Sequence, residues 1–376
     1  MSNLVVGFDA KRAFCNKTGL GNYSRMVIRS FALLNPSTPI VLFTPTTKGS
    51  FRSFFSDLPN VSVEVPHGAW RFLPSLWRSV GQRRAVSRSN VSVYHGLSHE
   101  LPLFLPKDVK LVVTMHDLIV WRFPHLFPFF DRQVYKVKQR NACRRADSVV
   151  AISRQTRDDC LAYLHVPASR LSVIYQSCDD IFWYPVPVPT VQQVCQKYSL
   201  PKRYILCVGT IERRKNQLAV VEAMPSVDAD VHLVIVGRAT PYCDELKAAI
   251  ARHGLEARVH FLHDALFADF PALYSGAVMS VYMSRFEGFG IPVLESMCCG
   301  TPVLTSTSSS LPEVGGTAAL YADPDATADI VDKINSVCRD DDYRLQLANR
   351  CRIQASQFSA ERIAQDFTAL YNSLLC

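Results

Sequence analysis

No stretch of this 376-residue chain approaches the ~18–20 consecutive apolar residues of a membrane span, although 48% of its residues are hydrophobic. With 20% charged residues, that composition belongs to a globular protein. The start, Met1 to Asp9, lacks a basic n-region and a cleavage site. It reads as a first β-strand rather than a secretory signal. Twelve cysteines are scattered without a C-x-x-C pair, and Cys298 and Cys299 are adjacent. Neither zinc-ligand spacing nor a disulfide framework is visible, so the thiols read as small buried hydrophobes in a reducing cytoplasm. No His/Asp/Glu cluster has ligand spacing, and no metal is expected. Low-complexity segments and a sequence repeat between the halves are also missing.

What is present is length for two domains and a strong charge asymmetry. Residues 1–190 hold 24 Lys+Arg against 12 Asp+Glu, and residues 191–376 hold 17 against 21. A balance of +12 in the first half suggests an anionic partner. No nucleic-acid motif accompanies it, which favours anionic membrane or a lipid-phosphate acceptor. Short β-branched runs alternate with helical patterns throughout, the mark of parallel sheets covered by helices. Strands are expected at Leu4–Asp9, Pro39–Thr44, Val61–Val65, Val91–His95, Leu111–Met115, Ser148–Ile152 and Leu171–Ile174. Helices are expected at about Asn22–Leu34, Leu73–Ser89 and Asp131–Arg145. Tyr184 to Pro189 alternates with proline and reads as a stiff extended linker. Beyond it, strands fit Tyr204–Val208, His232–Val236, Val259–Leu262, Val278–Tyr282 and Pro302–Thr305.

Four segments carry chemistry. The first is Ser284 to Glu295, containing Glu287-Gly288-Phe289-Gly290-Ile291-Pro292-Val293-Leu294-Glu295. It follows a buried strand and opens a helix, with Pro292 in the first turn and Gly300 at the carboxyl cap. Its glycines admit close backbone approach, and the helix start is an anion site suited to diphosphate. Glu287 and Glu295 are expected ~8–12 Å apart from the helical rise and loop, so they suit two separate hydroxyl-bearing groups rather than a glycosidase pair. The second is Gly209 to Asn216, where Arg213, Arg214 and Lys215 sit at a strand's carboxyl end and can neutralise a diphosphate. The third is Thr18-Gly19-Leu20-Gly21-Asn22-Tyr23-Ser24, a glycine loop after the first strand. The second strand ends without an acid, which argues against nicotinamide or flavin. The fourth is Thr114-Met115-His116-Asp117, where His116 could donate a hydrogen bond to a sugar hydroxyl or phosphate.

Together these residues resemble the retaining GT-B glycosyltransferases of the family 4 type over roughly Val5–Tyr371. The most specific segment is Glu287 to Glu295, the E-x7-E signature, continued in Gly300-Thr301-Pro302-Val303 and Ser310-Leu311-Pro312-Glu313-Val314. Phe8-Asp9-Ala10, Ala146-Asp147-Ser148 and Gly209 with Arg214-Lys215-Asn216 are similar as well. Thr210, Gln176 to Asp179, and His263 depart from the common pattern. The resemblance implies an α/β GT-B fold, two Rossmann-like domains facing each other across a cleft. The acceptor-side domain would span 1–182, with a last helix near 360–376 packing back on it, and the donor domain 190–358. It implies that Arg214 and Lys215 hold the donor diphosphate, and that Glu295 contacts the ribose. Glu287 and the backbone of Gly288, Phe289 and Gly290 contact the sugar. His116 lies beside the reacting centre, and Gly19, Gly21 and Gly209 line the site. It further implies front-face substitution with retention, without metal or cofactor.

Within the family, the segments resemble O-antigen mannosyltransferases. That implies a GDP-sugar donor (GDP-mannose favoured, a UDP-sugar possible) and a lipid-linked glycan acceptor in cell-surface polysaccharide synthesis. Two other readings fit the scaffold: a sugar-nucleotide epimerase, and a non-catalytic sugar-nucleotide-binding partner. Incubation with sugar nucleotide alone separates the first, and the intact Arg214, Lys215, Glu287, Glu295 set opposes the second. Trp70 to Arg84 and Leu118 to Phe130 interleave aromatic and basic residues. That pattern suits peripheral contact with anionic membrane at the cytoplasmic face, with Arg78, Arg83 and Arg84 as the contacting cations.

Overall fold

The computed structural model describes residues 4–49 and 51–376. Residues Met1–Asn3 of the amino-terminal reading lie outside the described residues. The chain divides into unit 1, Met1–Ser177 with Phe358–Cys376, and unit 2, Cys178–Gln357.

Unit 1 is built on seven strands: β1 Val6–Asp9, β2 Ile40–Phe43, β3 Val61–Glu64, β4 Val93–Gly96, β5 Lys110–Met115, β6 Ser148–Ala151 and β7 Leu171–Val173. They lie in the order β3-β2-β1-β4-β5-β6-β7, every pairing parallel. Strands β1, β2 and β4 are buried throughout, as strands of a parallel sheet covered on both faces must be. The last helix, Ala360–Ser373, packs on the helix Gly19–Leu34. Asn35 Nδ2 donates to Thr368 Oγ1 at 2.9 Å, and the Tyr371 hydroxyl meets His95 Nδ1 at 2.7 Å.

Unit 2 repeats the plan with β8 Tyr204–Val208, β9 His232–Val236, β10 Val259–Leu262, β11 Met279–Tyr282, β12 Val303–Ser306 and β13 Leu320–Ala322. Their order is β10-β9-β8-β11-β12-β13, again parallel. Ile205, Leu233, Ile235, Val281 and Leu304 form its core. In each sheet the order reverses beside the unit's first strand, between β1 and β4 and between β8 and β11. Crevices for ligands open there, at the carboxyl ends of the strands.

Several elements differ from expectation. The proline run is not a linker throughout: a helix begins at Val188 and runs to Lys197 in unit 2. Pro189 sits in its first turn, where the missing N–H has no partner to lose. The expected helix over Leu73–Ser89 is broken into Pro74–Leu76, a wide π turn at Trp77–Gly81, and Arg83–Arg88. Gly81 closes the π turn against two indoles, where a Cβ would stand 2.9 Å from Trp77 and 3.0 Å from Trp70. Strand β13 escaped notice, because three residues carry too little alternation to read.

Candidate functional site

Unit 2 gathers its polar groups at the carboxyl ends of β8 and β11. Beyond β8, Gly209 leads into a short turn, Arg213–Lys215, whose last cation folds back over it. Beyond β11, the chain passes through Ser284 to Gly290 and enters the helix Ile291–Cys298. Gly290 caps that helix at φ 114°, and a Cβ there would stand 2.7 Å from Leu311. Only glycine meets both demands. The helix start, with Pro292 in its first turn, directs its positive dipole end toward the turn that holds Glu287.

Glu287 is the hub. Its Oε1 lies 2.8 Å from Arg214 Nη1 and 3.3 Å from Lys215 Nζ, and it accepts from the Tyr282 hydroxyl at 2.7 Å and Ser284 Oγ at 2.8 Å. All four contacts fall on Oε1, and Oε2 takes none of them. Burial opposes ionisation here, but Lys215 and Arg214 prevail and hold the carboxyl at about 2. Arg214 also pairs with Glu212 at 2.5 Å and donates to the Phe286 carbonyl. Burial disfavours its charge, yet Glu287 and Glu212 raise its pKa further. Lys215 Nζ donates to Tyr282 at 2.6 Å. Two cations are thus pre-aligned beside a helix start, each sharing its counter-charge.

Glu295 sits one layer deeper, buried, accepting from the Tyr274 hydroxyl at 3.0 Å. Burial pushes its carboxyl up to about 7, where the Tyr274 bond and Lys215 only partly counter it. The two signature carboxylates therefore have opposite environments, one ion-paired and one desolvated.

The structure brings Gly209, Arg214, Lys215, Glu287, Gly288, Phe289, Gly290 and Glu295 into this one region of unit 2. Gly19, Gly21 and His116 belong to unit 1. Gly19 and Gly21 are not in a loop: the helix Gly19–Leu34 starts on them. Gly21 is small because a Cβ would fall 1.9 Å from the Asn16 carbonyl oxygen, a packing reason. His116 follows β5 and stacks edge-on against Tyr23 of that helix, ring centroids 4.5 Å apart. Its Nε2–H donates to the Leu97 carbonyl at 2.8 Å. Burial, with His99 beside it, pushes the ring down to about 3. At neutral pH it is uncharged, and Nδ1 is left as an acceptor. The expected donor role is corrected accordingly: this ring can accept a hydrogen bond from a hydroxyl at Nδ1 but has its one N–H engaged.

Another correction concerns Arg78, expected as a membrane contact. Its side chain is only 11% exposed and bridges Asp9 at 2.6 Å and Glu100 at 2.6 Å. The arginine forms a structural clamp between β1 and the loop after β4. Sequence reasoning missed Tyr282, Ser284 and Tyr274. The first two stand two residues apart at the end of β11 and so share a face. Hydroxyls at that spacing just before the signature were the available signal.

Seven of the twelve cysteines are buried, and all are free thiols. No group of three or more metal-ligating side chains occurs among the described residues. None of their helices is long and apolar enough to cross a membrane.

Comparison with known proteins agrees with this geometry. Residues 196–356 match the family Glycosyl transferases group 1, and residues 32–180 match Glycosyltransferase Family 4. The chain is 30% identical to O-antigen chain mannosyltransferase B of Escherichia coli, over 95% of this chain and 96% of that protein. It is 26% identical to the lipopolysaccharide core biosynthesis mannosyltransferase LpcC of Rhizobium leguminosarum bv. viciae, over 84% and 86%. Among solved structures, Anabaena Alr3699/HepE in complex with UDP and glucose superposes with a TM-score of 0.74 at 21% identity, over 98% and 99% of the two chains. Sucrose-phosphate synthase of Thermosynechococcus elongatus superposes at 0.77 with 19% identity, over 99% of each. At such identities the structures speak for the fold, which is GT-B.

Proposed function

Since the chain belongs to the group 1 and family 4 glycosyltransferases, we propose that it moves a hexose, mannose in the favoured case, from a nucleoside-diphosphate sugar to a glycan acceptor with retention. The observation that carries this reading is the Arg214–Lys215–Glu287 cluster beside the start of the helix Ile291–Cys298. An anionic diphosphate meets two cations and a dipole there. The relatives named as mannosyltransferases of O-antigen and lipopolysaccharide core support a GDP-mannose donor and a lipid-linked acceptor in polysaccharide synthesis. The UDP-bound neighbour keeps UDP-sugars as the second donor class.

In this mechanism the bond from the sugar's anomeric carbon to the β-phosphate oxygen breaks. The bond to the acceptor oxygen forms on the same face, and the acceptor proton passes to the departing diphosphate. Arg214 and Lys215 receive the charge that grows on the leaving group, a preorganised electrostatic role that needs neither metal nor cofactor. Glu287 holds both cations in register through Oε1 and offers Oε2 to a sugar hydroxyl. Glu295 accepts from the ribose. In unit 1 the neutral His116 ring accepts from a hydroxyl at Nδ1. The enzyme works at the cytoplasmic face of the membrane.

The test is a transfer assay with radiolabelled GDP-mannose, UDP-glucose and UDP-galactose against lipid-linked glycan, with the product's anomeric configuration read by NMR. Transfer from GDP-mannose with the α configuration kept is expected. An inverted product, or conversion of sugar nucleotide without acceptor, rejects the reading.

A further inference from the structure

The helix Ile291–Cys298 carries Glu295 one turn before its last residue, Cys298, so the two side chains share a face. Cys178, the first residue of unit 2, is buried against that end of the helix. Its Sγ lies 3.5 Å from Cys298 Sγ, across 120 residues of sequence. A disulfide holds its sulfurs ~2.05 Å apart, so these two would bond on closing by about 1.5 Å. Their environments differ. Burial raises the Cys178 thiol well above its ordinary value, and Cys298 and Glu295 add to the rise. Cys178 is therefore held protonated, whereas Cys298 is half-buried and within reach of a small oxidant.

A cavity of about 160 Å³ supplies the path. Trp183, Tyr184, Pro185, Cys298, Cys299 and Arg352 line it. Tyr184 and Arg352 are exposed, so it opens at the surface. A water needs only about 10–15 Å³, and hydrogen peroxide is little larger. The walls offer polar groups as well. Trp183 Nε1 is buried and has no acceptor among the described residues, so its N–H is free for a peroxide oxygen. Arg352 Nη2 donates to the Cys299 carbonyl at 3.4 Å, which sets a guanidinium where hydroxide would leave.

We propose that Cys178 and Cys298 form a peroxide-sensitive thiol pair, which closes to a disulfide and thereby weakens donor binding at Glu295. The Cys298 thiolate attacks one oxygen of hydrogen peroxide. The O–O bond breaks, hydroxide leaves with the thiol's proton as water, and Cys298 becomes a sulfenic acid. The Cys178 sulfur then attacks the Cys298 sulfur. The S–S bond forms, the S–O bond breaks, and the Cys178 proton leaves with the hydroxyl as a second water. The two thiols are oxidised together by two electrons, and one peroxide is reduced to two waters. A reducing compartment keeps the pair open, and thiol exchange reopens it after oxidation. Closure draws the last turn of the helix and the Cys178 segment together. Interiors are close-packed, so Glu295, buried one turn earlier and bonded to Tyr274, shifts with it. The loss of binding rests on the donor site proposed above; the thiol chemistry stands on these residues alone.

The experiment uses the full chain with Cys15→Ser/Cys376→Ser, which removes the two exposed thiols. The protein is treated with hydrogen peroxide, and peptide mass spectrometry without reduction locates any disulfide. Titration calorimetry gives GDP and UDP affinities before oxidation, after it, and after dithiothreitol. A Cys178–Cys298 crosslink is expected, with affinity lowered about tenfold, as for a lost hydrogen bond to a charged group, and restored by dithiothreitol. Cys298→Ala and, on the other partner, Cys178→Ala should each remove both the crosslink and the loss. Cys299→Ala should keep both. The thermal transition reports that each variant is folded. Three results overturn the proposal: no crosslink between these two residues, a disulfide through Cys299 in its place, or a crosslink that leaves affinity unchanged. Nucleotide binding without any crosslink rejects the thiol pair and leaves the donor reading standing. Reduced protein that binds neither nucleotide rejects the donor reading and with it the loss of binding, and the crosslink then decides the thiol chemistry.

Discussion

At the carboxyl ends of its strands unit 2 presents a charged cluster, whereas unit 1 presents the neutral rings of His95, His99 and His116 beside the Asp9–Arg78–Glu100 clamp. Arg214, Lys215 and Glu287 stay ionised because each has an opposite charge within 3.3 Å. For His99 and His116 the nearby acids Glu100 and Asp117 are too weak to offset burial, which pushes His95, His99 and His116 to about 3, 4 and 3. Desolvation acts in both places, and the strength of the counter-charge decides whether it wins. A charged pocket suits a diphosphate, and a neutral one suits hydroxyl groups. Two largely covered arginines show a second contrast: Arg78 bridges two acids as a structural clamp, and Arg214 bridges two acids beside the proposed anion site.

The arginine pair offers the largest expected effect. Removing Arg78 strips Asp9 of its ion pair and leaves Glu100 with Lys138 alone, and removing Arg214 strips Glu212 and leaves Glu287 with Lys215 alone, so both changes should destabilise. Arg78→Ala and Arg214→Ala should both lower the urea midpoint of their own unit, followed by hydrogen exchange. Only Arg214→Ala should also abolish nucleoside-diphosphate binding. Donor binding lost equally in both variants would erase the distinction between clamp and site.

Acid should separate the units next. A depressed His pKa means that the unfolded chain takes up protons first, so stability is complete above about pH 6.5 and is lost as pH falls toward the folded values near 3–4. Glu295 behaves oppositely. Its raised pKa favours the folded state below about 7, with the gain growing down to about 4.5. Between pH 6.5 and 4.5 unit 1 should therefore lose amide protection, while Glu295 offsets the acid response of unit 2. Faster loss in unit 2 would contradict the assignment.

A smaller effect concerns donor affinity. A ribose hydroxyl donates best to an ionised Glu295, so affinity should rise up to tenfold from pH 6 to 8, through its value near 7. Glu295→Gln should flatten that step by titration calorimetry. A step that survives in the variant belongs to another group.

These contrasts were unevenly legible in the sequence. The segment Glu287 to Glu295 could be read because its glycines, proline and carboxylates act locally: each has its meaning within one turn and one helix start. The parallel-sheet plan was legible from alternation alone. Arg78 was not, because it sits in a run of basic residues, and its partners Asp9 and Glu100 arrive only through tertiary folding. The tautomer of His116 depends on the Leu97 carbonyl, 19 residues away in sequence. Gly19 and Gly21 read as a glycine loop, but the spacing of a loop and that of a tightly packed helix start are the same in sequence. Phe129 and Phe130 were legible as part of an aromatic and basic stretch, but the exposure of Val134 and Val137 further along the helix Phe129–Arg145 was not, since isolated valines read as core.

The central claim, that Arg214 and Lys215 form a metal-independent diphosphate site, is tested most directly by titration calorimetry of GDP and UDP in EDTA, with wild-type protein and with Lys215→Ala. Loss of one charge-assisted partner removes about 1.5–3 kcal/mol, so the variant should bind at least tenfold more weakly while remaining folded, as its thermal transition without ligand reports. Equal affinities for wild type and variant, or wild-type binding that appears only when Mg²⁺ is restored, would contradict it.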